Sequence, residues 1–409
     1  MEKATVDVYE ARGTAWAARR RPVRRAHAKA FAKLVAQLAA QLGVEGAGPI
    51  AEAGPGPRGE PRAEHGHGPP RVDLGCGAGR YISDIGQPAI GIDAARAMLE
   101  QCRAVAPDAT LVQGDLEALP FKSRSLYGGW ANMSYLHLPG VRLPAALADL
   151  HRTLVVGAPV DLQVLAGEYE GDALPTDDVG GRFFCAWRPD HLCEVLTGAG
   201  FDVERMRVDG DVVRVRAVRL RTLPDYVGAD MRLLVVGLNP SLFAADAGVG
   251  FARPGNRFWP AALSAGLVTR DRDPMHALHT RGIGMTDLVK KPTSRAAELT
   301  PSEYREGMAR VELVARWLGP RVLCMVGLSG WRAAVDPRAQ AGPQPQTIGG
   351  RPVYLMPSTS GANAHARSGE LAEHLRAAAA LGARAPHTSM GEGGGTEGPR
   401  TDAGGPDVV

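Results

Sequence analysis

Short apolar runs alternate with amphipathic stretches along most of the chain, and the alternation falls into two blocks. In the first block the runs Arg71–Leu74, Ala89–Ile92, Thr110–Gln113, Gly128–Asn132 and Val160–Leu165 have the length of buried strands. Helical patterns separate them after Gly79, across Ala94–Val105 and across Pro144–Thr153. Strands alternating with helices are βαβ units, so the pattern predicts a parallel, doubly wound sheet. A helix over Pro189–Ala199, stopped by Gly200, and an antiparallel pair, Val203–Val208 with Val212–Val218, close this block near Arg221. The rhythm restarts with a strand at Leu233–Val236, helices near Phe258–Ala265 and across Pro301–Leu318, and a strand at Val322–Val326. A helix near Ser329, a strand at Val353–Met356 and a helix over Ser368–Leu381 complete it. Ahead of both blocks, Phe31, Leu34, Val35, Leu38 and Leu42 stand at helical spacing, so residues 8–43 are expected to form one or two amphipathic helices.

Composition fits two domains joined by little else. A chain of 409 residues exceeds one ordinary core. The expected division is 1–222 and 223–384, with a flexible loop over 46–70 and a disordered tail over 385–409, both too rich in Gly and Pro to bury a core. Hydrophobic residues at 44% and charged residues at 22% exclude wholesale disorder. The five cysteines are scattered and odd in number, and the nearest pair, Cys185 and Cys193, is wrongly spaced for a zinc knuckle. No disulfide framework and no metal site are expected, and His65 and His67 on the Gly/Pro loop read as incidental. Membrane-length apolar windows and targeting signals are both lacking, which favours a cytoplasmic protein.

Chemistry in the first block centres on Val72-Asp73-Leu74-Gly75-Cys76-Gly77-Ala78-Gly79, placed where a strand ends. Glycines there let backbone approach a ligand closely. The next strand ends in Asp93, about twenty residues further on, where a carboxylate can accept from ribose hydroxyls. A third ends near Asp115, where a carboxylate could meet an adenine amino group. These motifs, together with Phe183-x-x-x-Trp187-x-Pro189 running on to Gly200-Phe201, resemble the class I S-adenosylmethionine-dependent methyltransferases over about residues 8–221. A nicotinamide-binding fold would show Gly-x-Gly-x-x-Gly, whereas here Arg80, Tyr81 and Ile82 follow Gly79. The resemblance implies S-adenosylmethionine held by Asp73, Gly75, Gly77, Gly79, Asp93 and Asp115. Asn132, Tyr135 and His137, after the fourth strand, are candidates for the methyl-acceptor side, with capping and packing as alternatives. The acceptor itself is not encoded in any recognisable motif.

The second block carries four motifs in order. They are Gly237-Leu238-Asn239-Pro240-Ser241, Gly250-Phe251-Ala252-Arg253-Pro254-Gly255-Asn256-Arg257-Phe258-Trp259, Gly284-Met285-Thr286-Asp287 through Thr293, and Pro357-Ser358-Thr359-Ser360-Gly361-Ala362-Asn363. They resemble the mismatch-specific uracil/thymine-DNA glycosylases of the uracil-DNA glycosylase superfamily over about residues 223–384. That resemblance implies a smaller, three-layer α/β/α domain following the Rossmann-like methyltransferase sheet. It also implies a duplex DNA partner carrying a mismatched or damaged base, and no cofactor for this domain. Asn239 suits the positioning of a water, since a neutral amide can orient one but cannot deprotonate it. Gly237, Leu238 and Phe251 are expected at the base pocket, with Phe251 stacking on the flipped base. Asp287 would accept from a base edge, assist the water or cap a helix. Ala244, being small, would leave room for a 5-methyl group. Ser358, Ser360, Gly361, Ala362 and Asn363 are expected to meet DNA, Asn363 pairing with the orphaned guanine.

Division at these boundaries gives the formal charge of +3 a different meaning. Residues 231–384 carry 19 Lys and Arg against 11 Asp and Glu, residues 1–230 carry 27 against 29, and the tail carries 1 against 4. A basic second domain suits a polyanion. Three readings follow: a glycosylase fused to a methyltransferase, a glycosylase with a non-catalytic S-adenosylmethionine-binding module, and a methyltransferase whose glycosylase-like domain only holds nucleic acid.

Overall fold

The computed structural model describes residues 1–19, 22–44, 68–361, 363 and 367–384. Most of the 46–70 loop, including His65 and His67, as well as Ala362 and the tail from 385, lies outside the described residues.

Two helices, α1 (Lys3–Arg19) and α2 (Arg25–Gln41), precede the first sheet. Then follow β1 (Arg71–Leu74), β2 (Ala89–Asp93), α3 (Arg96–Val105), β3 (Thr110–Gln113), β4 (Gly129–Asn132), α4 (Leu143–Thr153) and β5 (Pro159–Ala166). The unit closes with β6 (Glu170–Gly171), β7 (Phe184–Trp187), α5 (Pro189–Gly198), β8 (Phe201–Asp209) and β9 (Val212–Arg219). β3, β2, β1, β4 and β5 lie side by side in parallel. β9 runs antiparallel along β5 and β8 antiparallel along β9, while β7 extends the far end of β5 in parallel. The helix expected after Gly79 does not form: residues 77–85 are a series of turns, and Gly75, just before them, is left-handed like Gly77 and Gly79 within them.

The second sheet is built from β10 (Leu233–Gly237), β11 (Ile283–Asp287), β12 (Leu323–Val326), β13 (Gly342–Pro343) and β14 (Val353–Met356), in the order β11-β10-β12-β14-β13. All neighbours are parallel except β13. Its helices are α6 (Leu242–Ala247), α7 (Phe258–Ser264), α8 (Pro274–Arg281), α9 (Pro301–Leu318), α10 (Ser329–Ala334) and α11 (Ser368–Arg384). Alternation explains why β10 is apolar throughout. Leu233 and Val235 join Phe258, Trp259, Leu371 and Leu375 on one face, whereas Leu234 and Val236 join Val311, Leu318 and Trp331 on the other. Three layers result. In each sheet the strand order reverses direction once, at β1/β4 and at β10/β12, and open α/β sheets bind ligands in the crevice at such a point. The polypeptide between the sheets is short: Arg219 ends β9 and Leu233 begins β10.

Candidate active sites

At the first reversal point the glycine turn has room only for glycine. A Cβ on Gly75, at φ +69°, would lie 2.4 Å from Ser134 Cβ, which follows β4. Behind the turn Asp93 fixes the loop: Oδ2 accepts from the Gly77 amide at 2.8 Å and Oδ1 from Ala95 at 2.9 Å. Each carboxylate oxygen keeps a further lone pair for a ligand hydroxyl. Asp73, Gly75, Gly77, Asp93, Asn132 and His137 all line one cavity of about 370 Å³. Burial, reinforced by Asp93, pushes the Asp73 carboxyl up to about 8.

Helix α1 roofs this cavity with Tyr9 and Trp16. The Tyr9 hydroxyl lies 3.0 Å from His137 Nε2 and accepts from Arg182 Nη1 at 2.9 Å. His137 Nδ1 is 2.7 Å from the Phe183 carbonyl. A carbonyl only accepts, so Nδ1 carries the proton and Nε2 accepts from Tyr9. Burial holds the imidazole at about 4, keeping it neutral. Arg182 is itself buried, paired with Asp177 and packed against the rings of Tyr9 and Phe184.

At the second reversal point the segments after β10 and β11 stay zipped together. Leu288 and Val289 donate backbone bonds to Gly237 and Leu238, and Thr293 donates to Pro240. Asn239 sits on this lip. Its Nδ2 lies 3.0 Å from the Lys291 carbonyl, 2.8 Å from Thr293 Oγ1 and 3.2 Å from the Pro240 carbonyl. The amide nitrogen is thereby spent, and Oδ1, an acceptor with no partner among the described residues, is the group left for a ligand.

Gly237 pairs with Asp287 across β10 and β11. A Cβ at Gly237 would come within 2.3 Å of Asp287 Oδ1 and 3.3 Å of Phe251 Cζ. Phe251 and Asp287 accordingly share a small cavity with Tyr226 and Met285. Phe251 is held at φ +59°, a conformation rare for a bulky side chain, and stacks on Phe258 with centroids 4.3 Å apart. The Asp287 carboxylate accepts no hydrogen bond among the described residues. Burial raises it to about 6, with Lys290 opposing.

Residues 224–381 match the family model of the Uracil DNA glycosylase superfamily, and residues 72–157 match that of a methyltransferase domain. The chain joins a methyltransferase domain to a uracil DNA glycosylase superfamily domain. Solved structures similar to the methyltransferase domain include an S-adenosylmethionine-dependent methyltransferase from Methanosarcina mazei, at 16% identity and TM-score 0.33, covering 37% of this chain and 92% of that one. Another, from Mesorhizobium loti, is 18% identical with TM-score 0.32 and covers 36% of this chain and 90% of its own. A third, from Aquifex aeolicus, is 16% identical with TM-score 0.30 and covers 37% and 82%.

Several expected site residues sit elsewhere. In the methyltransferase domain Gly79 faces α3, where a Cβ would meet Cys102 Sγ at 2.5 Å, so this glycine serves packing rather than the cavity. Asp115 lies outside the cavity, its carboxylate half exposed and bonded by the N-terminal amino group at 2.7 and 2.9 Å. Tyr135 is fully buried in the core, and its hydroxyl has no hydrogen-bond partner among the described residues. In the glycosylase-superfamily domain the Leu238 side chain packs toward α10, within 2.8 Å of where a Gly330 Cβ would stand, and away from the pocket. Ala244 is buried in the first turn of α6, its amide 3.1 Å from Ser241 Oγ, and is absent from the cavity of Phe251 and Asp287.

The loop after β14 is folded on itself. Asn363 Nδ2 donates to the Ser358 carbonyl at 2.9 Å, and Arg257 reaches the carbonyls of Ser360 and Asn363 at 2.9 and 2.6 Å. Asn363 thus holds the loop's shape instead of presenting its amide nitrogen outward. Ser360 and Gly361 remain exposed and Ser358 is partly so. Among the described residues no cluster of potential metal ligands occurs, and no helix is long and apolar enough to cross a membrane.

Sequence reasoning missed Tyr9, Trp16, Asp177 and Arg182 around the methyltransferase cavity, and Asp225, Lys290 and Arg310 behind Asp287. Tyr9 and Trp16 were detectable as two aromatics one heptad apart on an otherwise Ala- and Arg-rich helix. Asp225 accepts from Thr286 Oγ1 at 2.6 Å, Lys290 Nζ at 2.8 Å and Arg310 Nη1 at 2.6 Å. Burial alone would raise its carboxyl, but Arg310 and Lys290 outweigh that and hold it below the usual range.

Proposed function

We propose that the second domain is a monofunctional DNA glycosylase acting on uracil, and on thymine where the pocket admits the methyl, mispaired with guanine. The first domain, on this reading, transfers a methyl group from S-adenosylmethionine to an acceptor the chain does not name. The division falls between Thr222 and Leu223, and the protein works in the cytoplasm.

The geometry of Asn239 carries the glycosylase reading. With the two Nδ2 hydrogens directed to the Lys291 carbonyl and Thr293 Oγ1, Oδ1 is preset to accept from a water and aim the water's lone pair at C1′. The C1′–N bond breaks as the water oxygen bonds to C1′; the base leaves with the bonding pair, and the water's proton passes to solvent. Phe251 supplies a flat surface for the flipped base, and Asp287, on the same cavity wall, accepts from its N–H edge. A neutral amide gives only positioning, so turnover is modest.

Residues of the first cavity fit S-adenosylmethionine. Glycine backbone faces the ligand at Gly75 and Gly77, Asp93 offers spare lone pairs, and Asp73 is a buried carboxyl without a cation. The sulfonium, when bound, supplies an already activated methyl. Tyr9, His137 and Arg182 shape the wall, and burial keeps His137 neutral. Ser358, Ser360 and Gly361 would meet the DNA backbone through hydroxyls and backbone N–H groups.

Duplexes carrying G·U, G·T or an undamaged pair, scored for abasic sites, test the glycosylase. Asn239→Ala should lower the G·U rate by about a hundredfold or more. Wild type no faster than this variant would reject the assignment. The rate should also rise with pH through about 6 as Asp287 ionises, and Asp287→Asn should flatten that limb.

A further inference from the structure

A further cavity among the described residues is separate from both of these sites. It is a cleft of about 490 Å³ between α2 and the β8–β9 hairpin, lined by five arginines: Arg24, Arg205, Arg207, Arg214 and Arg216. Register places Arg205 directly opposite Arg216 and Arg207 directly opposite Arg214. Like charges in directly opposed pairs destabilise a hairpin. Only two carboxylates line the cleft in return: Asp209 binds Arg214 at 2.7 Å and Asp161 binds Arg216 at 2.7 Å. Arg205 and Arg207 are exposed and unpaired among the described residues. Such an arrangement is relieved by a polyanion.

Arg24 forms the floor. It is buried, lies over the Trp130 ring at 5.3 Å and reaches Asp161 Oδ1 at 3.4 Å. Its Nη1 also donates to Asn132 Oδ1 at 3.2 Å, and Asn132 lines the cofactor cavity. The cleft and the methyl-transfer cavity therefore share a wall.

We propose that this cleft binds a nucleic-acid strand through its phosphates, laying it beside the methyltransferase cavity. Guanidinium forks match phosphate geometry, and arginines two residues apart on a strand repeat every ~6.8 Å, close to the spacing of neighbouring phosphates on an extended strand. An acidic protein segment fits less well, since Ala30, Val208 and Val215 offer no aromatic or deep apolar anchor. Strand binding in this cleft does not depend on glycosylase activity.

Full-length protein and labelled single-stranded DNA or RNA of ordinary bases provide the test, with anisotropy read over a series of salt concentrations. Arg205→Ala with Arg207→Ala should weaken binding about tenfold and lower the salt slope by about 1.4, at ~0.7 per phosphate contact. Arg96→Gln with Arg103→Gln, an equal charge loss on α3, should change neither. An unchanged slope in the first pair, or an equal loss in the control pair, would overturn the proposal. Hydrogen exchange locates the contact: either oligonucleotide should protect amides within 201–219. Protection by tripolyphosphate but by neither oligonucleotide would make the cleft a small-anion site and also overturn it.

Discussion

Asp73 and Asp287 are both buried carboxyls raised by desolvation, yet their surroundings give them different consequences. Asp73 is buried beside another carboxylate, Asp93, and stands at about 8, so it is protonated and neutral at pH 6. A cationic ligand favours the ionised form, so binding must release a proton, and affinity must rise as pH approaches 8 from below. S-adenosylmethionine should therefore bind severalfold more tightly at pH 7.5 than at pH 6, levelling as the ligand's own amino group titrates. Calorimetry in buffers of different ionisation enthalpy would register the released proton. Asp73→Asn should remove both effects, and a wild-type affinity flat over this range would exclude the role. The glycine turn, Asp93 and Asn239 were legible from the sequence because each stands at a strand end in a recognisable motif. Tyr135 and Leu238 were not separable from the residues that line the cavities, because one position along a chain does not say which way a side chain turns. The fates of Asp115 and Asn363 depended on partners far away or folded back, which no spacing records.

Among elements, the strands and long helices followed their hydrophobic pattern closely, whereas β11 escaped notice as a strand. Ile283-Gly284-Met285-Thr286-Asp287 is short, contains glycine and ends in polar residues, so its burial comes from flanking layers instead of its own composition. Helix α1 shows a related limit. It buries only Thr5 and Gly13, and what docks it is polar: Glu10 accepts from the Arg96 and Ala97 amides at 2.6 and 3.0 Å. Position Ala95 gives α3 no side-chain cap of its own, so Glu10 supplies the missing acceptor from another helix. Glu10→Ala should cost about 1 kcal/mol of stability, typical of a lost cap. Because α1 roofs the cavity, the same change should speed ligand release severalfold while barely altering association. Stopped-flow displacement would separate the two rates, and equal dissociation from both proteins would show that α1 is no lid.

Across the whole molecule the two domains are tied together by packing and by the connecting segment. Ala145 and Ala148 of α4 lie in the cores of the second domain, and Trp317 of α9 meets Trp187 and His191 edge-on at 6.1 and 4.4 Å. Asp225 sits at the crossing. Its amide donates to the Gly198 carbonyl of α5 at 2.8 Å, and its carboxylate holds Lys290 and Arg310 behind β11. Removing this charge leaves two partly buried cations without their counter-ion, so Asp225→Asn should cost about 3 kcal/mol and lower the thermal midpoint. A purely structural role would stop there. Asp225 also lies among the charges that raise Asp287, while Lys290 and Arg310 lower it. Loss of the anion and release of the cations act in the same direction, so the acid limb of the glycosylase rate should move below pH 6 in the variant. A limb fixed near 6 in a destabilised Asp225→Asn protein would mean that the connecting segment braces the domains without tuning the base pocket. A downward shift would make the segment between the domains part of the glycosylase site.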